Sequence, residues 1–133
     1  LKKSESFSLQ VISTYKLLLN SKEYVMSTQL LKSATSIGAN ISEARFAQSK
    51  KDFLSKIQIA LKEANETKYW LKLLYLSNYI PDDTFTTLST SCSELILLLV
   101  SPVISIAIII STPPIVGVPF FCKCVFGPSS LTV

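Results

Sequence analysis

The sequence contains no histidine, three scattered glycines and three cysteines among its 133 residues. Without histidine, neither a Ser-His-Asp nor a Cys-His nucleophile can form, and histidine-ligated metal sites are excluded. Three scattered glycines cannot form a phosphate-cradling loop. Cys92, Cys122 and Cys124 are odd in number and absent from the first 91 residues, which argues against a disulfide framework and favours a reducing, cytoplasmic compartment. No enzymatic activity, metal or cofactor is therefore expected.

Charge is almost absent from the last third of the chain. Residues 1–94 carry twelve Lys/Arg and all nine Asp/Glu, whereas residues 95–133 hold only Lys123. No apolar signal core follows Lys2 and Lys3, so secretion is not expected. The stretch from Leu95 to Ile110 is sixteen residues without a charge, and the uncharged run continues to Cys122; a membrane span needs about 20 predominantly apolar residues. Pro102 and the Pro113-Pro114 pair interrupt this run, which disfavours membrane insertion.

Apolar residues repeat at intervals of three and four in four successive segments, the period of amphipathic helices. Helices are predicted over 5–20, about 28–48, 50–77 and from Pro81 onward. Ser49 and Asp52 match the ends of a capping box at the start of the third helix. Short connections favour an all-α fold, an antiparallel up-down-up-down four-helix bundle. Pro102 should kink or end the fourth helix, so the predicted organisation is a bundle over 1–108 and an irregular, uncharged C-terminal tail over 109–133.

Three segments closely resemble a bacterial four-helix-bundle family: LKSATSIGANISEA (31–44), AQSKKDF (47–53) and IALKEANETKYWL (59–71). Members include proteins encoded in 23S rRNA intervening sequences and the accessory variability determinant of diversity-generating retroelements. The resemblance covers about residues 5–100. It implies a homopentameric, barrel-like assembly with a basic surface, no enzymatic activity, and nucleic-acid binding in at least the retroelement branch. Ribosomal RNA or a reverse transcriptase would be the corresponding partner.

The C-terminal part departs from that family. The segment SELILLLVS (93–101) resembles the last family helix, which normally carries lysines on its exposed face, but here Leu97, Pro102 and the residues from Ile104 onward replace that face. The remainder to Val133 resembles no part of the family. A shifted reading frame and a genuine extension both account for it.

One flank of the third helix is predicted to be basic, since at about 100° per residue its lysines fall to one side of the apolar stripe. The predicted nucleic-acid-binding residues are Arg45, Lys50, Lys51, Lys62, Lys68 and Lys72. A solvated helix face accounts for such a row in a single copy. Repeated around a ring, the row would form a multivalent surface for phosphate backbone.

Polar residues at intervals of three and four form a second stripe on the second helix. A structural polar network is predicted, in which Asn40 pairs with Glu66 across two helices; its members are Ser36, Asn40, Glu43 and Glu66. Recognition, or catalysis by a carboxylate-bound Mg²⁺ at Asn40, Glu43, Glu63 or Glu66, is the alternative.

Two functions remain open from the sequence. The first is a non-enzymatic, oligomeric bundle that binds RNA or DNA backbone through the basic flank. In that interpretation Tyr69, Trp70 and Tyr75 serve packing or subunit contacts rather than base stacking. The alternative is a protein-interaction or scaffold module, associated with a membrane through its apolar C-terminus.

Overall fold

The computed structural model describes the backbone of residues 1–111 and the side chains of residues 1–105. Its four helices are α1 (Lys2–Asn20), α2 (Val25–Ala44), α3 (Lys50–Leu76) and α4 (Asp82–Ser111), and the described residues contain no strand. The all-α prediction is therefore confirmed. Residues 112–133, which hold Cys122, Cys124 and most of the predicted irregular tail, lie outside the described residues.

The helices form an antiparallel up-down-up-down four-helix bundle. Each helix packs on the two helices that are its neighbours around the bundle, and α1 closes the arrangement by contacting α4. A hydrogen bond joins Ser33 of α2 to Thr67 of α3, and the rings of Tyr75 and Phe85 stack between α3 and α4. The core is continuous along the bundle axis, and every helix contributes fully or nearly fully buried apolar residues, for example Phe7, Val11, Leu30, Ile37, Leu71, Leu74, Leu88 and Leu99.

Two helices begin with side-chain caps that satisfy free backbone N–H groups. Ser49 Oγ accepts a hydrogen bond from the Asp52 N–H at 3.1 Å, as the capping-box prediction requires. The Asp52 carboxylate accepts in return from the N–H of Gln48, one residue earlier than in the standard box. At the start of α2, the buried Glu23 carboxylate accepts from the N–H groups of Val25, Met26 and Ser27 at distances between 2.6 and 3.0 Å.

The structure corrects the predicted bounds of α2. This helix starts and ends three to four residues earlier than the predicted range of about 28–48. Its start is earlier because the Glu23 carboxylate caps it, and no Ser/Thr/Asp/Asn signal marks that position in the sequence. Its end is earlier because Ser49 and Asp52 already belong to the cap of α3.

Pro102 does not end α4, which continues through it to Ser111. Proline removes one N–H donor, so the carbonyl of Leu98 loses its helical partner. Leu98 is 55% exposed, and water can therefore solvate that carbonyl.

Gly38 lies against α1, where a Cβ atom would meet Ser4 Oγ at 3.6 Å and Ser8 Oγ at 3.8 Å. A glycine inside a helix often has a packing reason, such as the close approach of another helix. These distances are ordinary van der Waals contacts, so the packing of this chain does not require glycine at that position.

Candidate nucleic-acid interface

The two edges of α3 face different helices. On one edge, Thr67 and Lys56 contact residues of α2. On the other, Tyr75 stacks on Phe85 of α4, and the Ala64 carbonyl accepts a hydrogen bond from the Cys92 thiol of α4 at 3.3 Å. Lys68, four residues from Ala64, and Lys72, three residues from Tyr75, therefore lie on the side of α3 that borders α4.

The predicted basic residues are all exposed in the structure, and none takes part in an ion pair among the side chains of residues 1–105. At 100° per residue, Lys50, Lys68 and Lys72 lie next to the edge that borders α4, and Lys51 and Lys62 lie further around the outer face. We refer to these five lysines and Arg45 as the basic flank. With a rise of 1.5 Å per residue, Lys50 and Lys72 are separated by about 33 Å along the helix axis.

Three cations of the basic flank meet at the corner between α2 and α3. Arg45 is the C-cap residue of α2, and Lys50 and Lys51 are the first two residues of α3. Lys50 and Lys51 lie at the positive end of the α3 dipole, which disfavours cations by about 0.3–1 kcal/mol each, whereas Arg45 lies at the negative end of the α2 dipole, which favours a cation. The sequence thus places Lys50 and Lys51 where they oppose helix stability, and where a bound anion would relieve the repulsion.

Two carboxylates of α3, Asp52 and Glu63, lie toward α2, whereas Glu66 lies on the outer face, one turn from Lys62. Asp52 serves the cap of α3, and Glu66 accepts a hydrogen bond from the indole N–H of Trp70 at 3.1 Å. Glu43 of α2 pairs with Lys56, and this contact raises the pKa of the Lys56 ammonium group. Lys56 lies on the α2 edge of α3 and is therefore not part of the basic flank.

The structure does not contain the predicted polar network. Asn40 donates a hydrogen bond to the Ser36 carbonyl in its own helix, at 2.9 Å, rather than to Glu66. Glu43 and Glu66 are both exposed and have the partners described above. Amide and carboxylate side chains find partners on their own helix or at the surface, because the α2–α3 contact is filled by smaller groups.

The buried polar contact between α2 and α3 is made instead by two hydroxyl groups. Thr67 Oγ1 donates to Ser33 Oγ at 3.0 Å, and Ser33 and Thr67 are at most 1% exposed. The spacing of residues did not single out Thr67. Its position three residues after Ala64 and four before Leu71, both in the apolar stripe, was the available signal.

The aromatic residues of α3 have different environments. Tyr75 packs within the bundle through Phe85, as the sequence predicted for packing residues, with 4.3 Å between ring centroids. Trp70 is partly buried and meets the ring of Tyr69 edge-on at 5.2 Å. Tyr69 itself is 56% exposed. One exposed tyrosine does not form the row of stacking platforms found in single-strand binders.

The described residues bear on two further classes of site, a metal site and a membrane span. They contain no group of three or more Cys, Asp or Glu side chains placed to hold a metal ion. By length and composition alone, one of their helices could cross a membrane, over the residues Asp82–Ser105. The core helix of a soluble bundle meets the same criterion, and the inner face of this segment, including Leu88, Cys92, Leu95 and Leu99, is buried in the bundle.

The chain is similar to a known family and to solved structures. Residues 1–101 match the family described as 23S rRNA-intervening sequence protein. A crystal structure of a protein of unknown function from the S23 ribosomal protein family of Bacteroides thetaiotaomicron is 48% identical in sequence, with a TM-score of 0.76. That match covers 77% of this chain and 95% of the other. No curated protein matches this chain.

Proposed function

The chain belongs to the 23S rRNA-intervening sequence protein family, and we propose that it is a non-enzymatic, oligomeric four-helix bundle that binds nucleic-acid backbone through the basic flank. The observation that carries this proposal is the exposure of five lysines of α3 and of Arg45 at the end of α2, without carboxylate partners among the described side chains. Structured RNA is the favoured ligand, since the family is named for ribosomal RNA.

The geometry of the basic flank suits phosphate contacts rather than base contacts. Lysines on the side of a helix that is packed into a bundle reach the backbone, which fixes position but carries no sequence information. The flank extends for about 33 Å, close to the length of one helical turn of duplex DNA, about 34–36 Å. It can therefore follow one turn of a double helix, and several copies in a ring would multiply the contacts.

Binding should accordingly be electrostatic and depend steeply on salt. Each neutralised phosphate contributes about −0.9 to the slope of log affinity against log salt concentration for duplex DNA, and about −0.7 for single strands. Simultaneous replacement of Lys62, Lys68 and Lys72 by Gln should weaken binding and flatten that slope by about two to three. Fluorescence anisotropy titrations of the full chain against structured RNA and duplex DNA, at several salt concentrations, measure both quantities.

A matched variant controls for charge changes as such. Glu63 and Glu66 form no ion pair among the described side chains, and their replacement by Gln should leave affinity unchanged or raise it, because acidic charge is removed. Circular dichroism and light scattering confirm that fold and oligomer mass are retained. If wild-type protein fails to bind at low salt, or the triple Lys variant binds equally well, the flank is only a solvated helix face.

A second function, that of a scaffold module, is favoured by the apolar side chains on the outside of α4. Leu97 is 73% exposed and Ile104 is 52% exposed. Two results together would support the scaffold function instead. The protein would fail to bind nucleic acid, and it would bind protein partners that the Leu97→Glu variant no longer binds.

A further inference from the structure

An open apolar groove lies at the end of the bundle where α1 and α3 begin and α2 ends. Its volume is about 630 Å³, within the range of about 300–1,000 Å³ that is typical of small-ligand sites. Its floor is the hydrophobic core itself, because Ile57, Leu95 and Leu99 line it and are at most 6% exposed. Leu98 of α4 forms a wall, and its side chain is 55% exposed to solvent.

The groove has a positively charged rim. Lys2, Lys3 and Arg45 line it, and no Asp or Glu does so among the described residues. Lys3 forms an ion pair with Glu94, with 3.1 Å between Nζ and Oε2, whereas Lys2 and Arg45 form no ion pair among the side chains of residues 1–105. An apolar groove with two cations available at its edge is complementary to a molecule with an apolar chain and an anionic end.

We propose that this groove binds a single-chain anionic amphiphile, a fatty acid, with its hydrocarbon chain against Ile57, Leu95 and Leu99 and its carboxylate beside Lys2 and Arg45. The hydrocarbon chain covers the exposed side chain of Leu98 and thereby extends the hydrophobic core. A helix of a second copy fits less well, because two helical turns, about 11 Å long and 10–12 Å wide, exceed the volume of the groove. This site is separate from the row of lysines along α3 and shares only Arg45 with the basic flank.

Isothermal titration calorimetry of the delipidated full chain with laurate tests the proposal. Dodecyltrimethylammonium carries the same chain on a cationic head and should bind at least about tenfold more weakly, since the rim repels it. Octanoate is four methylenes shorter than laurate and should bind at least about tenfold more weakly, because each buried methylene contributes up to about fourfold.

Two adjacent leucines provide matched variants. Leu98→Glu places a carboxylate in the groove wall and should weaken laurate binding at least about tenfold. Leu97 is also exposed but does not line the groove, so Leu97→Glu should change the affinity less than twofold. The double variant Lys2→Gln with Arg45→Gln, at two exposed positions, should weaken laurate binding about two- to fivefold without weakening that of the cationic amphiphile.

Several results would overturn the proposal. The first is the absence of laurate binding. The second is equal affinity for laurate and dodecyltrimethylammonium, and the third is an equal change in laurate affinity in the Leu97→Glu and Leu98→Glu variants. An apparent affinity that falls as the protein concentration rises would also overturn it, because it would show that a second copy occupies the groove. If Leu98→Glu fails to fold, the double rim variant decides the assignment.

Discussion

At the scale of single residues, Cys92 is a buried thiol rather than a reactive one. Burial raises its pKa from an ordinary value of 9.0 to about 11, although the charge of Lys68 acts in the opposite direction. Thiolates, not thiols, are nucleophilic, so Cys92 should resist alkylation in the folded protein.

The same thiol makes stability depend on pH in alkaline solution. The folded state retains the Cys92 proton above pH 9, where the unfolded state loses it, so the free energy of unfolding falls as pH rises from about 9 to about 11. The loss should reach about 2–3 kcal/mol at most. Urea titrations of wild type and Cys92→Ala at several pH values isolate this contribution. All other groups that lose a proton at alkaline pH are present in both proteins, so their effects cancel in the comparison. If the free energy of unfolding falls equally with pH in the two proteins, Cys92 does not contribute to the pH dependence of stability.

Gly38 gives a second prediction at this scale. A Cβ atom there meets only ordinary contacts at 3.6–3.8 Å, and alanine is favoured over glycine within a helix by about 1 kcal/mol. Gly38→Ala should therefore raise the free energy of unfolding by up to about 1 kcal/mol in thermal or urea denaturation. Gly38→Leu is the control, and should lower it because the longer side chain meets Ser4 and Ser8. Destabilisation by alanine would mean that α1 and α2 cannot accommodate one methyl group.

At the scale of helices, the start of α2 depends on Glu23. Burial raises the pKa of this carboxyl group, but the hydrogen bonds from Met26, Ser27 and Val25 outweigh that effect and lower the pKa overall. Stability from this cap is therefore present above the ordinary pKa of about 4.5 and is lost as pH falls through the lower pKa of the folded state.

Replacement of Glu23 should accordingly destabilise the bundle. Glu23→Gln should cost about 1–2 kcal/mol at neutral pH, because it removes a charged acceptor from three N–H groups. It should also reduce the loss of stability on acidification. Glu5 is a matched control, since it is acidic and lies in the first turn of α1 but is exposed. Equal melting temperatures for Glu23→Gln and Glu5→Gln would contradict the assigned cap.

The periodicity of apolar residues was sufficient to predict four helices and their packing faces, because burial selects the same face along a whole helix. Ends and polar contacts were less predictable. Glu23 caps α2 from a position before the helix, and Ser33–Thr67 rather than Asn40–Glu66 is the buried polar pair. The capping residue and the buried polar pair depend on which side chains fit between two packed helices, and the spacing of residues in the sequence does not encode that fit. The positions of the basic flank followed from spacing, since exposed residues need no specific partner.

At the scale of the whole molecule, we expect self-association. Large apolar side chains remain exposed on the described part of the bundle, among them Leu9, Leu17, Val25 and Leu76, each at 63% or more. Such exposure favours burial in an assembly. Light scattering of the full chain at micromolar concentration should give an oligomer, and a pentamer has five times the 14.7 kDa mass of one chain. A monomeric mass at that concentration would contradict this expectation.

The order of the helices around the bundle also determines how the chain can fold. The contacts of α2 with α3 and of α3 with α4 are local in sequence, whereas the Lys3–Glu94 pair closes the ring between residues 91 positions apart. Local contacts form with little loop-closure entropy, so low contact order favours rapid folding. We expect the α2–α3 hairpin to nucleate and α1 to meet α4 last, which pulsed hydrogen exchange would show as late protection of those amides. The apolar groove, which is built from the start of α1 and from α4 as well as from α2 and α3, then exists only in the fully folded protein.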